Sequence, residues 1–521
     1  MIDVYNCNQP VDEKVKALIK RASDLEQLHI WEAGGMSKSE LEWRNEMSVE
    51  NKKNFDKLYE DLGGKLPAEV FDKLFSDDLK SCIRRESERY ASVVHNDASY
   101  RMTNDSLMQF VSILLLSGYH ALPQQHLYWE RSHDVQLPFV YENISKNRFL
   151  QDKKYLHFAD NDNLEKTDKF AKIWPLYDLA NKSLKQYGFW HKDYSIDEQM
   201  VPYYGMHSAK QTMRNKGIRF GYKNFVLSSS DGYPYTFIPY GGAKGIAGTP
   251  GKDLTMRVIL NLVIGSEGGV GNLAFDNWYA STKLLSALSA MNIPTVCTVR
   301  SDRVGDAMMS SDQQMKKKER GEYEYMYDKN LGLHLVKWND NSVVNCLSNC
   351  IGVHPLEGVD RFSRKDRKTI SILLPHLLKL YNQIMGGVDM VDGAVAAYRI
   401  KVKGKKWWWP HFTNMISVLI AASWRIYKAL NPDEDQTLLT FVRSVVLSNM
   451  HRDRIKPQFW KTKAVVMQAE KASGNHWPNV RPNQRRCARK ECKSRPRTYC
   501  EVCQVALCIE GCFKKYHQEG Q

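Results

Sequence analysis

Apolar positions recur at helical spacing through the first third of the chain and at strand spacing through its middle. Over 67–79 a proline opens the segment and Val70, Leu74 and Leu79 share a face, which predicts a helix. The stretches 106–116 and 170–187 follow the same rule, and Pro123 and Pro138 mark breaks between helices. From about 193 the pattern changes. Runs at 194–197, 220–228 and 233–240 read as strands, the last two joined by a turn at Ser230-Asp231-Gly232. Strands at 270–275 and 294–299 flank a helix over 283–291, for which Ser281 or Thr282 offers an N-cap. Strands alternating with helices predict an α/β core with a partly parallel sheet.

The segment 301–375 interrupts that core. It holds the basic run Lys316-Lys317-Lys318, a strand at 323–327, and a hairpin of 333–338 and 342–347 around Asn339-Asp340-Asn341. A β-rich insertion is the simplest description. Helical spacing returns over 375–390 and 407–447, punctuated by Pro410 and Pro432. Residues 1–65 are polar and mixed in charge, an N-terminal segment partly ordered at best. The longest apolar runs, 110–116 and 415–424, fall well short of the ~18 residues of a membrane span. The N-terminus lacks a basic start followed by an apolar stretch, so secretion is not expected.

Charge narrows the class of partner. The 521 residues carry a formal charge of +15, with a pI near 9.1, which points to a polyanion. The excess is uneven. From residue 451 onward there are 16 Lys/Arg against 6 Asp/Glu, whereas residues 1–65 hold 10 against 13. A basic tail of this kind favours phosphate contact over a merely solvated surface.

Cysteine is equally uneven. Cys7, Cys82, Cys297, Cys346 and Cys350 are scattered, and the last two are read as having a core or loop role rather than as metal ligands. The other six of the eleven fall between Cys487 and Cys512. Thiolates and imidazole are what a closed tetrahedral Zn²⁺ site requires. Cys487, Cys492, Cys500, Cys503, Cys508, Cys512 and His517 supply seven candidates, which suggests two interleaved zinc ions. His476 or a carboxylate would complete the second. So short a segment cannot bury enough apolar area to fold alone, so metal would supply its folding energy. Arg485, Arg486, Arg489 and Lys490 beside these ligands suit DNA phosphates. A cross-brace zinc fold also suits a protein ligand such as a histone tail, hence a chromatin contact.

Two further groups could carry chemistry. Asp197 ends a strand candidate in SIDEQ, Asp276 ends another in FDNWY, and Asp389 and Asp392 share a helical face in GGVDMVD. Taken singly, a strand-terminal Asp more often caps a helix or holds a turn. Converging carboxylates would repel one another unless divalent cations lay between them, and Mg²⁺ suits that task. Two such ions could activate an attacking water or hydroxyl and stabilise a leaving 3′ oxygen. Glu198 points to the other strand face and is read as structural, as are Asp231 and Asp302. Lys401, Lys403, Lys405 and Lys406 precede Trp407, Trp408 and Trp409. Basic residues beside aromatics hold phosphates and stack on unpaired bases. Two of the three tryptophans are expected in the core, the third near the site, and the lysines at DNA.

The segments SIDEQMVPYYG, KGIRFGYK, FDNWYAST, MGGVDMVD and KKWWWP occur in one order. Together they resemble the piggyBac transposase family, the DDD transposases of cut-and-paste elements and their domesticated descendants. The resemblance runs from about residue 66 to the C-terminus. It implies an α/β fold with an RNase H-like catalytic core, 193–300 and 376–399, split by the insertion at 301–375. A helical dimerisation and DNA-binding domain would comprise 66–192 and 400–470, and a cysteine-rich zinc domain 480–521. By motif, Asp197, Asp276 and Asp389 match the catalytic aspartates that hold two Mg²⁺, and Asp392 matches a further acidic position near the metals. The implied partners are double-stranded DNA, as element ends and TTAA target, and a second copy of the chain. Hairpin ends, footprint-free excision and a nuclear location are implied with them. Two features depart from the family. Four residues separate Cys487 from Cys492 where the family has two, and residues 1–65 lack the longer acidic leader of many relatives. Two other readings share much of this pattern: a catalytically silent domesticated DNA-binding or chromatin protein, and an RNase H-like nuclease, which would give no reason for the zinc tail.

Overall fold

The computed structural model describes residues 17–22, 30–33, 46–213, 217–242, 254–263, 270–304, 307–364, 366–451, 476–489 and 491–518. Lys490, much of the N-terminal segment and the stretch 452–475 lie outside the described residues. The chain divides into two compact units, Met1–Asp453 and Arg454–Gln521.

The first unit opens with helices α1 (Val49–Leu62), α2 (Pro67–Leu74), α3 (Asp77–His95), α4 (Asn104–Tyr119), α5 (Lys146–Tyr155) and α6 (Trp174–Leu184). Hydroxyl caps start four of them: Ser48, Ser76, Thr103 and Ser145 accept from the backbone N–H of Asn51, Leu79, Ser106 and Arg148. The predicted single helix over 67–79 is therefore two helices. Phe75 ends the first and Ser76 caps the second, so Leu79 belongs to α3.

An antiparallel meander follows: β1 (Asp193–Pro202), β2 (Phe220–Ser229) and β3 (Pro234–Pro239). Gly232, at φ 90°, makes the predicted turn between β2 and β3. After α7 (Leu254–Val263), β4 (Asn272–Phe275) lies parallel to β1. Helix α8 (Thr282–Ala290), capped by Ser281, then returns the chain to β5 (Thr295–Thr298), parallel to β4. In the order β3-β2-β1-β4-β5, β2 alone runs opposite to the other four, which gives the α/β core with a partly parallel sheet that the sequence predicts.

The segment after β5 extends this same sheet. Strands β6 (Tyr323–Asp328), β7 (Leu333–Asn339) and β8 (Val343–Ser348) form a meander whose last strand runs antiparallel to β5. Trp31–Ala33 pairs with β6 at the far edge. A separate hairpin, β9 (Glu357–Ser363) and β10 (Lys368–Leu374), leads to helices α9 (His376–Ile384) and α10 (Gly387–Ala397). These two replace the continuous helix predicted over 375–390, with the break at Met385-Gly386.

Helices α11 (Trp409–Leu430) and α12 (Leu438–His451) pack back on α2 and α4. Two stretches far apart in sequence thus build one helical core, with Phe71, Leu114, Phe412 and Val445 all fully buried. No described helix is long and apolar enough to cross a membrane.

The second unit is a two-stranded ribbon, β11 (Pro478–Val480) and β12 (Thr498–Cys500), followed by α13 (Cys512–Gln518). Among its described residues, buried hydrophobic side chains are few, chiefly Cys487, Cys500, Ala506 and Leu507. So small a core needs another source of stability.

Candidate active site and metal centres

The parallel pairing of β1 with β4 sets two of the predicted carboxylates level. Ile196 pairs with Phe275; Asp197 is the next residue in β1, and Asp276 immediately follows the end of β4. Neighbouring strands lie about 4.8 Å apart, so the two positions are adjacent across the sheet. Asp276 sits in the turn leaving β4, where its Oδ1 accepts from the Trp278 backbone N–H at 2.8 Å. Both acidic groups bear on one buried ring. The Tyr279 hydroxyl is pushed well above its ordinary range by burial first, then by the negative charges of Glu198, Asp197 and Asp276.

Helix α10 brings the other two acids alongside β1. Residues 195, 197 and 199 share a face of that strand. Gly387 closes on this face at Ser195: an added Cβ would meet the Ser229 carbonyl oxygen at 2.1 Å and the Ser195 Oγ at 2.6 Å. Further along, the Gln199 Nε2 donates to Asp392 Oδ1 at 2.8 Å. Asp389 lies on the helix between these two anchor points and is exposed, whereas Asp197, Asp276 and Asp392 are half-buried. Hard oxygen donors in a polar, partly open setting are suitable for a divalent cation.

Glu198 faces the other way and makes the structural bond expected of it. It pairs with the Lys223 ammonium at 2.5 Å, which stands over the rings of Phe225, Tyr240 and Trp278. Asp231 pairs with His191 at 3.2 Å and accepts from the Ser229 hydroxyl. Burial alone would raise its carboxyl, but His191, Ser229 and Arg425 hold it well below the usual range. Cys346 and Cys350 are buried in the core.

The tail draws all seven predicted ligands, plus His476, into two groups of four. Cys487, Cys492, Cys508 and Cys512 form one, and His476, Cys500, Cys503 and His517 the other. Within each group the ligand atoms lie within 4.8 Å of one another. Zinc–sulfur bonds of about 2.3 Å and zinc–nitrogen bonds of about 2.0 Å imply tetrahedral edges near ~3.8 Å for two sulfurs and ~3.5 Å for sulfur and nitrogen. The Cys492 and Cys508 sulfurs are 3.7 Å apart. His476 Nδ1 is 3.4 Å from the sulfurs of both Cys500 and Cys503, and His517 Nε2 is 3.5 Å from that of Cys503. The opposite nitrogen of His517, Nδ1, donates to the Phe513 carbonyl at 2.7 Å, which leaves Nε2 as the lone-pair donor. Both groups could hold zinc. The longer spacing between Cys487 and Cys492 does not separate them, and the eighth position is a histidine rather than a carboxylate.

The basic-aromatic stretch divides by side chain. Trp408 and Trp409 are buried, and Trp407 is half-buried, stacked on His207 with centroids 4.4 Å apart. Lys401, Lys403 and Lys405 are exposed and line a cleft of about 430 Å³ together with Lys153 and Lys154. Lys406 is placed differently. Its ammonium donates to the Lys154 carbonyl at 3.1 Å and stands over the rings of Tyr90 and Trp408. In the tail, Arg485 and Arg486 are exposed, while Arg489 is half-buried with Glu491 at 3.8 Å.

Residues 66–424 match the family model described as Transposase IS4. The human PiggyBac transposable element-derived protein 3 is 32% identical over 459 residues, which cover 87% of this chain and 76% of that protein. The chain belongs to the piggyBac transposase family. A second human piggyBac relative, PiggyBac transposable element-derived protein 2, is 30% identical over 382 residues. The match covers 73% of this chain and spans 64% of that relative's length. The piggyBac fold itself is matched by the cryo-EM structure of a piggyBac transposase synaptic complex with hairpin DNA. That match has a TM-score of 0.62 at 19% identity and covers 86% of this chain and 97% of the other.

Proposed function

We propose that this chain is a metal-dependent DNA strand-transfer enzyme of the piggyBac type, cutting and joining at TTAA sites. The placement of Asp197 in β1 and Asp276 just past the end of the parallel strand β4, one residue beyond the paired Ile196 and Phe275, carries the reading. Asp197, Asp276 and Asp389 would hold two Mg²⁺, with Asp392 beside them. Bound there, the ions supply Lewis-acid chemistry, favouring deprotonation of an attacking hydroxyl and offsetting charge on the leaving 3′ oxygen. The chain's own part is positional. The β1–β4 pairing fixes two carboxylates, and the close seat of Gly387 fixes the helix bearing the others. Lys401, Lys403, Lys405 and the tail's Arg485, Arg486, Arg489 and Lys490 would track DNA phosphates. Two Zn²⁺ would hold the tail. Two ends must be joined, so the active species is a homodimer, working in the nucleus. The hairpin DNA named with the solved neighbour supports DNA ends as substrate.

The test is nicking of a labelled, TTAA-flanked DNA end. The parent chain nicks it in Mg²⁺, and Asp276→Asn loses nicking while binding the same DNA equally well. Retained nicking by that variant would sink the assignment. A parent that binds DNA without nicking it in Mg²⁺ is the second reading, a silent domesticated DNA-binding or chromatin protein. That reading is favoured by the human relatives' names, which call them transposable element-derived.

A further inference from the structure

A buried line of amides ends on Asp392. Gln199 is 1% exposed, and its Nε2 donates to Asp392 Oδ1 at 2.8 Å. Its Oε1 accepts from Asn414 Nδ2, also at 2.8 Å, and more distantly from Asn224 Nδ2 at 3.4 Å. Asn414 is 3% exposed and sits on α11, one of the helices that joins the two helical stretches. The bonds at the two ends of Gln199 fix its orientation. A carboxylate accepts only, so the Gln199 end facing Asp392 must be its NH₂. The oxygen is then the end facing α11, where two side-chain amides can donate. Arg399, whose guanidinium pKa burial lowers and Asp392 partly restores, is a cationic neighbour of Asp392.

We propose that Gln199 is a positioning residue for the acidic site. It orients the Asp392 carboxylate toward the divalent cation bound by the neighbouring aspartates, and Asn414 orients Gln199 from the helical core. The inference rests on the metal-dependent reading above. Partners that orient a metal-ligating group typically change metal affinity by about 10–100-fold when removed. A helix of one domain thereby reaches the acidic site through two amides, each fully enclosed and each hydrogen-bonded at the end that matters.

The test uses the full chain with an uncleaved DNA end and follows Mn²⁺ binding by electron paramagnetic resonance. Gln199→Met keeps the volume and removes both hydrogen-bonding ends. It should weaken Mn²⁺ binding about tenfold, with DNA affinity unchanged. Asn414→Leu, one step further out, should weaken it less and serves if the first variant folds poorly. In an Asp392→Asn background, Gln199→Met should cause no further loss, because its effect passes through Asp392. Equal Mn²⁺ binding by Gln199→Met and the parent, or a full additional loss in the Asp392→Asn background, would overturn the positioning role alone. Failure of the parent to bind Mn²⁺ at all would overturn the metal-dependent reading, and this role with it.

Discussion

Gly387 lies so close to Ser195 that a Cβ at 387 would stand 2.6 Å from its Oγ. No side chain fits there without moving α10 off β1. Gly387→Ala should therefore cost about 1–3 kcal/mol of stability and reduce DNA nicking more than tenfold, because Asp389 moves with the helix. Gly386, one residue earlier, has open space where its Cβ would lie. Gly386→Ala is the matched control, expected to leave nicking close to the parent. Thermal unfolding and single-turnover nicking of both variants decide the point.

The tail should contain two zinc ions, with His476 serving one of them. His476→Ala is expected to lower the bound zinc from two per chain toward one, and Cys492→Ser to remove the other. Metal analysis of the gel-filtered full chain measures this. Two zinc ions retained in His476→Ala would refute the grouping of His476 with Cys500, Cys503 and His517.

The lysines before the tryptophans should separate into two kinds. Replacing Lys401, Lys403 and Lys405 together by alanine should weaken DNA binding. It should also flatten the dependence of log K on log salt by about 0.9 for each phosphate no longer neutralised. Lys406→Ala should leave that slope unchanged. It should instead lower stability by about 1 kcal/mol, since its ammonium is spent on the Lys154 carbonyl and two aromatic rings. Salt titrations and melting curves distinguish the two outcomes.

Stability should fall in mild acid. Burial first, then the charge of His207, pushes the His411 imidazole down to about 3. Burial likewise takes His157 to about 3, helped by Lys172 and Lys406. In the unfolded chain both titrate near ~6.5. Between those values the unfolded state binds more protons, so stability is greatest above about 6.5 and declines as the pH drops toward 3. His411→Gln should make the decline shallower. Denaturant midpoints at pH 7.5, 6 and 5 for the parent and this variant test it.

The core strands were legible because their signals are local. Short strand-forming runs marked β2 and β3, a turn with Gly232 joined them, and Ser281 capped α8. The two core tryptophans were legible for a similar reason, since flat apolar rings beside Pro410 mark a helix start. Helices α1 and α3 were much less visible. Their inward positions include Asn51, Asn54, Lys80, Glu86 and Ser87, which break the apolar stripe that marks a packed helix. Asn51 and Asn54 face inward because their amides donate to the Phe189 carbonyl at 2.8 and 2.9 Å, a partner more than a hundred residues away. The grouping of His476 with Cys500, Cys503 and His517, the seat of Lys406 and the role proposed for Gln199 are likewise long-range. Each depends on groups that only the folded chain brings together.

The extension of the sheet beyond β5 has a consequence for self-association. In the bare five-strand order, β5 would present a full row of unpaired backbone amides to solvent, an invitation to strand-by-strand fibre growth. Here β8 pairs with that row, and β7 and β6 continue the sheet beyond it. Among the described residues, the border on that side is displaced to Trp31–Ala33, which carries Glu32, whose carboxylate pairs with Lys329 at 2.5 Å. Among the described residues, so short and charged a border offers other chains little backbone on which to stack.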